Sequence, residues 1–190
     1  MKKGLLITVG IILVLVFIIG GSLVSKYNQL IQLDEDVNIG LSQIDNQLQR
    51  RNDLIPNLVE TVKAYAAHEE EIFTAIAEAR ASLIGATGVE DKAEADAALS
   101  SSLSRLLAIS ENYPDLKANQ NFIALQDELA GTENRIAVAR QDYNAVAGNY
   151  NKVAKSFPMV IFAKMFGFDT ADYFEAAPGS ETAPVVDFNN

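Results

Sequence analysis

The sequence predicts an all-α protein: an N-terminal transmembrane helix continuing into an antiparallel four-helix bundle with long coiled-coil-like helices. Three observations predict it. Residues 5–24 contain no charged side chain and are mostly Leu, Ile and Val. Between Phe122 and Val153, core-type residues recur at an unbroken alternation of three and four. Proline occurs at only five positions, and no β-rich run is bounded by an Asn-Gly or Asp-Gly turn.

The apolar run is the first element, after a short segment of residues 1–4. Twenty residues at helical rise reach roughly 30 Å, the hydrocarbon thickness of a bilayer. A cleavable signal peptide has the same layout, but its apolar core is usually roughly 7–15 residues. The exit Gly20-Gly21-Ser22 also makes a poor Ala-x-Ala-like cleavage site. An uncleaved anchor is therefore expected at residues 5–24, with the lipid bilayer as its partner. Lys2 and Lys3 precede the run and Lys26 follows it. The positive-inside rule then gives a cytoplasmic N-terminus and an extracytoplasmic bundle.

Residues 25–156 are expected to form the bundle. Tyr27, Leu30, Val37, Leu41, Ile44 and Leu48 line a first helix running on from the span to about Arg51. Pro56 suits the first turn of a new helix, with Asp53 as candidate cap. Leu58, Val62, Tyr65, Ile72, Ile76 and Leu83 line that second helix, which ends near Gly85. A third runs from about Asp91 to Glu111, with Leu99, Leu103 and Leu106 inward, and Tyr113-Pro114-Asp115 breaks it. The fourth carries Phe122, Leu125, Leu129, Thr132, Ile136, Ala139, Tyr143, Val146, Tyr150 and Val153, the a/d pattern of a helical seam. Asn119 is its candidate N-cap, and Pro158 stops it. Short connections favour antiparallel neighbours, so the fourth helix returns toward the membrane.

An apolar closing segment, residues 157–176, follows. Phe157, Ile161, Phe162 and Phe166 are its candidate membrane-proximal residues, and only Lys164 is charged between Phe157 and Phe168. The stretch is too short to span; it either lies in the headgroup region or caps the core. Residues 177–190, rich in Pro, Gly, Ser, Glu and Asn, read as a flexible acidic tail.

Composition excludes several functions. The 15 Lys+Arg against 25 Asp+Glu leave a net charge of −10, the wrong sign for displacing phosphate counterions, so nucleic acid is not an expected partner. With no Cys and one His, thiol chemistry and most metal sites are absent. His68 with Glu69, Glu70 and Glu71 is a metal candidate, but a di-metal bundle needs Glu-x-x-His on two helices and residue 65 is Tyr65. Solvated surface charge is the simpler reading. Arg50, Arg51 and Asp53 could grip an anion or partner, or more simply satisfy helix ends at a bundle corner. Asp34, Arg51 and Glu69 fall on or beside seam positions, as a register-setting polar layer would. Glu128 and Glu133 with Arg135 and Arg140 read as surface salt bridging. No phosphate-binding glycine loop and no nucleophile–base pair accompanies them, so no catalytic residue, cofactor or small-molecule substrate is expected.

Two long motifs carry a resemblance. The first is Arg50-Arg51-Asn52-Asp53-Leu54-Ile55-Pro56-Asn57-Leu58-Val59, continuing through Lys63, Tyr65, His68-Glu69 and Ala79-Arg80. The second is Tyr113-Pro114-Asp115-Leu116-Lys117-Ala118-Asn119, followed by Phe122, Leu125-Gln126, Glu128-Leu129, Thr132-Glu133-Asn134-Arg135-Ile136, Ala139-Arg140 and Tyr143-Asn144. Together they resemble the signature of the LemA family, over about residues 5–168. The candidate structural or interaction positions are Arg50, Arg51, Asp53, Pro56, Asn57, His68, Glu69, Tyr113, Pro114, Lys117 and Asn119.

The resemblance implies a bacterial inner-membrane protein with one N-terminal span, a helical bundle and no established catalytic activity. It also implies relatives implicated in membrane invagination around magnetosomes, and genes neighbouring those of membrane proteases. The expected function is a non-enzymatic scaffold of the cell envelope that binds other proteins, itself included, in membrane organisation or quality control. Direct membrane remodelling through residues 157–168 is the alternative, and a metal-dependent enzyme a more remote one.

Overall fold

The computed structural model describes residues 2–175. Its elements are α1 (Lys2–Lys63), α2 (Glu70–Gly85), α3 (Val89–Ser110), the single turn α4 (Pro114–Lys117), α5 (Gln120–Ala154) and α6 (Met159–Phe166). No strand occurs among the described residues, and the helices pack in a bundle-like arrangement, as the periodicity predicts. The expected tail, residues 177–190, lies outside the described residues.

Among the described residues α1 is the one helix long and apolar enough to cross a membrane. Its most apolar window is unburied, and every residue from Ile11 to Ile18 is 52–84% exposed. In a water-soluble domain such a stripe would be covered, since each exposed Leu or Ile forgoes roughly 1.5–3 kcal/mol of burial.

The chain divides into two compact units. One comprises Ser42–Gln141 with the described residues 172–175. Here the last third of α1, then α2, α3 and the first two-thirds of α5 run up, down, up and down. Asn52 meets Arg80, and Lys63 lies over the ring of Phe73, so α1 and α2 are antiparallel. Asp45 meets Lys92 and Arg51 meets Asp96, so α3 parallels α1. Arg50 meets Glu128 and Gln47 meets Arg135, so α5 opposes α1. The core is Ile44, Leu48, Ile55, Leu58 and Val62 of α1, Ile72 and Ile76 of α2, Leu99 and Leu106 of α3, and Phe122 and Ile136 of α5.

The helix boundary expected at Arg51–Pro56 is absent: α1 continues through Pro56 to Lys63, and Asp53 is not a cap but a mid-helix residue accepting a bond from Gln49 Nε2 at 2.8 Å. An internal proline costs about 3 kcal/mol. Ile55, Leu58 and Val62, all fully buried around it, each return roughly 1.5–3 kcal/mol if the helix stays intact, and together they prevail. The reversal falls instead at residues 64–69, where neither Gly nor Pro occurs. Asn119 caps α5 as expected, its Oδ1 accepting from the amides of Asn121 at 2.9 Å and Phe122 at 3.3 Å. Every predicted seam residue of α5 is buried or half-buried.

The other unit comprises the described residues 2–41 with Asp142–Ala171. Gly40 sits at a close approach of α1 to α5: a Cβ there would lie 3.3 Å from Val146 Cγ2 and 3.4 Å from Tyr143 Cδ2. After α6 the chain returns along α5. Tyr150 donates to the Asp169 carbonyl at 2.6 Å, and Asn151 both donates to the Ala171 carbonyl and accepts from its amide, each at 2.8 Å. Burial pushes the Tyr150 phenol above its ordinary value, and the nearby Asp34 and Asp169 carboxylates add to the shift.

Candidate functional site

Arg51 of the first motif joins Glu133 and Arg140 of the second in a charged layer across the Ser42–Gln141 unit. Arg51 and Asp96 are only 4% and 2% exposed. Arg51 Nη1 donates to Asp96 Oδ1 at 2.6 Å and lies 2.8 Å from Glu133 Oε2, while its Nη2 donates to Ser100 Oγ at 2.9 Å. Arg140 Nη2 reaches the other Asp96 oxygen at 2.7 Å and its guanidinium lies 5.1 Å from the Phe174 ring. Two arginines and two carboxylates thus join α1, α3 and α5 at one level. The Nε atoms of Arg51 and Arg140 are buried without a hydrogen-bond partner. Such orphans each cost roughly 1–3 kcal/mol, so the layer is a poor source of stability and a better means of fixing which residues face one another.

A half-exposed network flanks it. Arg50 Nε and Nη2 both donate to Glu128 Oε1, at 2.9 and 2.6 Å, and Arg135 Nη2 adds a third contact at 3.1 Å. The Arg50 hydrogen bonds and charge hold the Glu128 carboxyl below its ordinary range.

The second motif staples the turns. Tyr113 donates to Glu69 Oε1 at 3.1 Å, and Asn119 Nδ2 donates to the Tyr65 hydroxyl at 3.0 Å, so the reversal at residues 64–69 is tied to the α4 turn. The hydrogen bond to Glu69 raises the Tyr113 phenol, with desolvation contributing. Pro114 opens α4, and Lys117 pairs with Glu111. Thus Arg50, Arg51, Glu69, Tyr113, Lys117 and Asn119 all have internal partners. Pro56 is half-buried in α1, and Asn57 is exposed, its carbonyl accepting from Thr61. His68 is exposed, and no group of three or more metal-capable side chains occurs among the described residues.

Arg140, expected on the helix surface, instead shares the buried Asp96. Asp96 is not among the residues the sequence singled out, although a signal exists: it stands three residues before Leu99 on the stripe Leu99, Leu103 and Leu106, an acid on an apolar face. Asn151 and Phe174 gave no such signal, because their partners come from the segment after α6 and from another helix.

Of the membrane-proximal candidates, Phe157, Ile161 and Phe166 are exposed and Phe162 is half-buried. Met159 and Ala163 form the buried side of α6. The Tyr27 ring meets Phe166 edge-on with centroids 4.9 Å apart, and Phe168 at 5.9 Å.

Comparison with known proteins agrees with the motifs. The chain is similar to Magnetosome protein MamQ 2 of Paramagnetospirillum magneticum, 28% identical over 95% of this chain and 75% of that protein. It is similar also to Magnetosome protein MamQ of Magnetospirillum gryphiswaldense, 27% identical over 87% of this chain and 70% of that protein. The apolar helix and these relatives together point to membrane association. The LemA family model matches residues 40–188, starting beyond the apolar run and reaching further toward the C-terminus than the motifs do. The chain therefore belongs to the LemA family.

Proposed function

We propose that the protein is a non-enzymatic scaffold, moored in a bacterial cell membrane by the apolar part of α1, that acts by binding other proteins and further copies of itself. The observation that carries this is where the motif's charge goes. Arg50, Arg51, Glu69, Tyr113, Lys117 and Asn119 are engaged in contacts between helices and turns of the fold. What remains on the outside includes large apolar residues of α2 and α5, Ile84 and Val138. Charge spent on internal contacts, with apolar side chains left outside, supports a binding role over a catalytic one. Similarity to proteins named for the magnetosome supports a role in organising membranes, with quality control of membrane proteins the other process the scaffold would serve. Two lysines before the apolar run and one after it favour a cytoplasmic N-terminus with the bundle extracytoplasmic.

The chain has no cysteine, so single-cysteine variants report cleanly. Val138→Cys and Ile84→Cys, oxidised in native membranes, should give a disulfide-linked dimer at one position and not at Ser104→Cys. Monomer at all three would overturn self-assembly. Labelling Ser82→Cys with a membrane-impermeant maleimide in intact cells tests the side, with an unlabelled residue refuting the extracytoplasmic placement.

A further inference from the structure

We propose that α6, with Phe157 before it, is a second membrane contact lying in the headgroup layer of the leaflet from which α1 emerges, and that it prefers anionic lipid. The inference rests on the reading of α1 as the anchor.

Position comes first. Tyr27 is three residues beyond Val24, the end of the apolar run, and so about 4.5 Å farther along the helix axis. Its ring meets Phe166 and Phe168. An α1 that crosses the bilayer therefore delivers the C-terminal end of α6 to the height of the headgroups. The face comes second. Met159 and Ala163, one turn apart, are buried against the protein. Ile161 and Met165, also one turn apart, are 56% and 63% exposed, and Phe157 is 83% exposed. An eight-residue helix that covers one side in protein and leaves the other apolar is built to lie in an interface, not to span.

Charge comes third and identifies the surface. The chain carries −10, yet between Asp142 and Asp169 there is no acid, only Lys152, Lys155 and Lys164, all exposed. Lys26, also exposed, is the chain neighbour of Tyr27, whose ring meets Phe166. A local concentration of lysine flanking an apolar face matches an anionic leaflet, and long lysine side chains can reach phosphates while their stems follow the apolar residues. A second protein would need no such sign reversal in an acidic chain.

The absence of tryptophan makes a depth measurement direct. Full-length Ile161→Trp, Phe17→Trp and Ile39→Trp are reconstituted in vesicles of phosphatidylcholine and phosphatidylglycerol at 3:1, with brominated acyl chains as quencher. Phe17→Trp marks the bilayer interior. Ile39→Trp, fifteen residues past the apolar run, marks water. Ile161→Trp should emit at a blue-shifted wavelength and be quenched at least half as strongly as Phe17→Trp. Quenching should weaken in pure phosphatidylcholine or with Lys155→Gln/Lys164→Gln. Quenching of Phe17→Trp without quenching of Ile161→Trp overturns this inference alone. Blue-shifted but unquenched Ile161→Trp means that protein covers the face, which also overturns it. Unquenched Phe17→Trp overturns the anchor and the inference together. Quenching equal in neutral and anionic vesicles overturns the lipid preference.

Discussion

Replacing Asp96 with Ala isolates the buried charged layer. Asp96 is the shared acceptor of Arg51 at 2.6 Å and Arg140 at 2.7 Å, and its side chain is 3% exposed. Without it, Arg51 keeps Ser100 and Glu133, but the Glu133 side chain is 54% exposed and offers a solvent-screened partner. Removing one member of a buried ion pair costs roughly 3–5 kcal/mol, because the remaining charge is left without compensation. At roughly 2–4 °C per kcal/mol for a protein of this size, Tm should fall by roughly 6–20 °C. Glu133→Ala removes a partly exposed pair and should cost no more than about 1 kcal/mol. The assay is thermal unfolding of the purified full-length protein in detergent, followed by circular dichroism at 222 nm. Arg51→Met/Asp96→Leu/Arg140→Met should recover most of the loss, since apolar replacements of buried ion groups are often neutral or stabilising. If Asp96→Ala proved as mild as Glu133→Ala, the view of this layer as a buried, interdependent charge set would be wrong.

Asn151→Ala removes both bonds to Ala171, leaves a half-buried amide and carbonyl without that partner, and should cost roughly 1–3 kcal/mol; hydrogen exchange should then accelerate at residues 169–175 while α2 and α3 stay protected, and uniform acceleration would contradict it. Tyr150 gives an alkaline signature. Its folded phenol titrates above the unfolded value of 10.0, so its stabilising contribution is complete below that pH and is lost as pH rises through the folded value. Between pH 9 and 11 the wild type should lose more stability than Tyr150→Phe in urea titrations, and parallel pH curves would refute the assignment.

The elements differ in how far local sequence specifies them. The seam of α5 is set by a period that burial on one face requires, and the cap at Asn119 by a side chain that reaches its own helix amides; both are local, and both were legible. The boundary at Pro56 was misread because proline's local penalty is visible in the sequence, whereas the burial of Ile55, Leu58 and Val62 that outweighs it is not. The turn at residues 64–69 has alanine-rich, helix-favouring composition. It is tied down by hydrogen bonds that Tyr65 and Glu69 accept from Asn119 and Tyr113 of a distant turn.

By itself the sequence determined that this chain is helical, carries an uncharged span at residues 5–24 and buries one stripe of each long helix, because length, charge and periodicity act through neighbours three and four residues apart. Only the tertiary structure decided that Arg140 shares Asp96 with Arg51, that α1 survives its proline, and that α6 meets Tyr27 and leaves Ile161 and Met165 bare. Those outcomes depend on residues tens to more than a hundred positions apart, whose meeting is fixed by packing against a common core and not by any local preference.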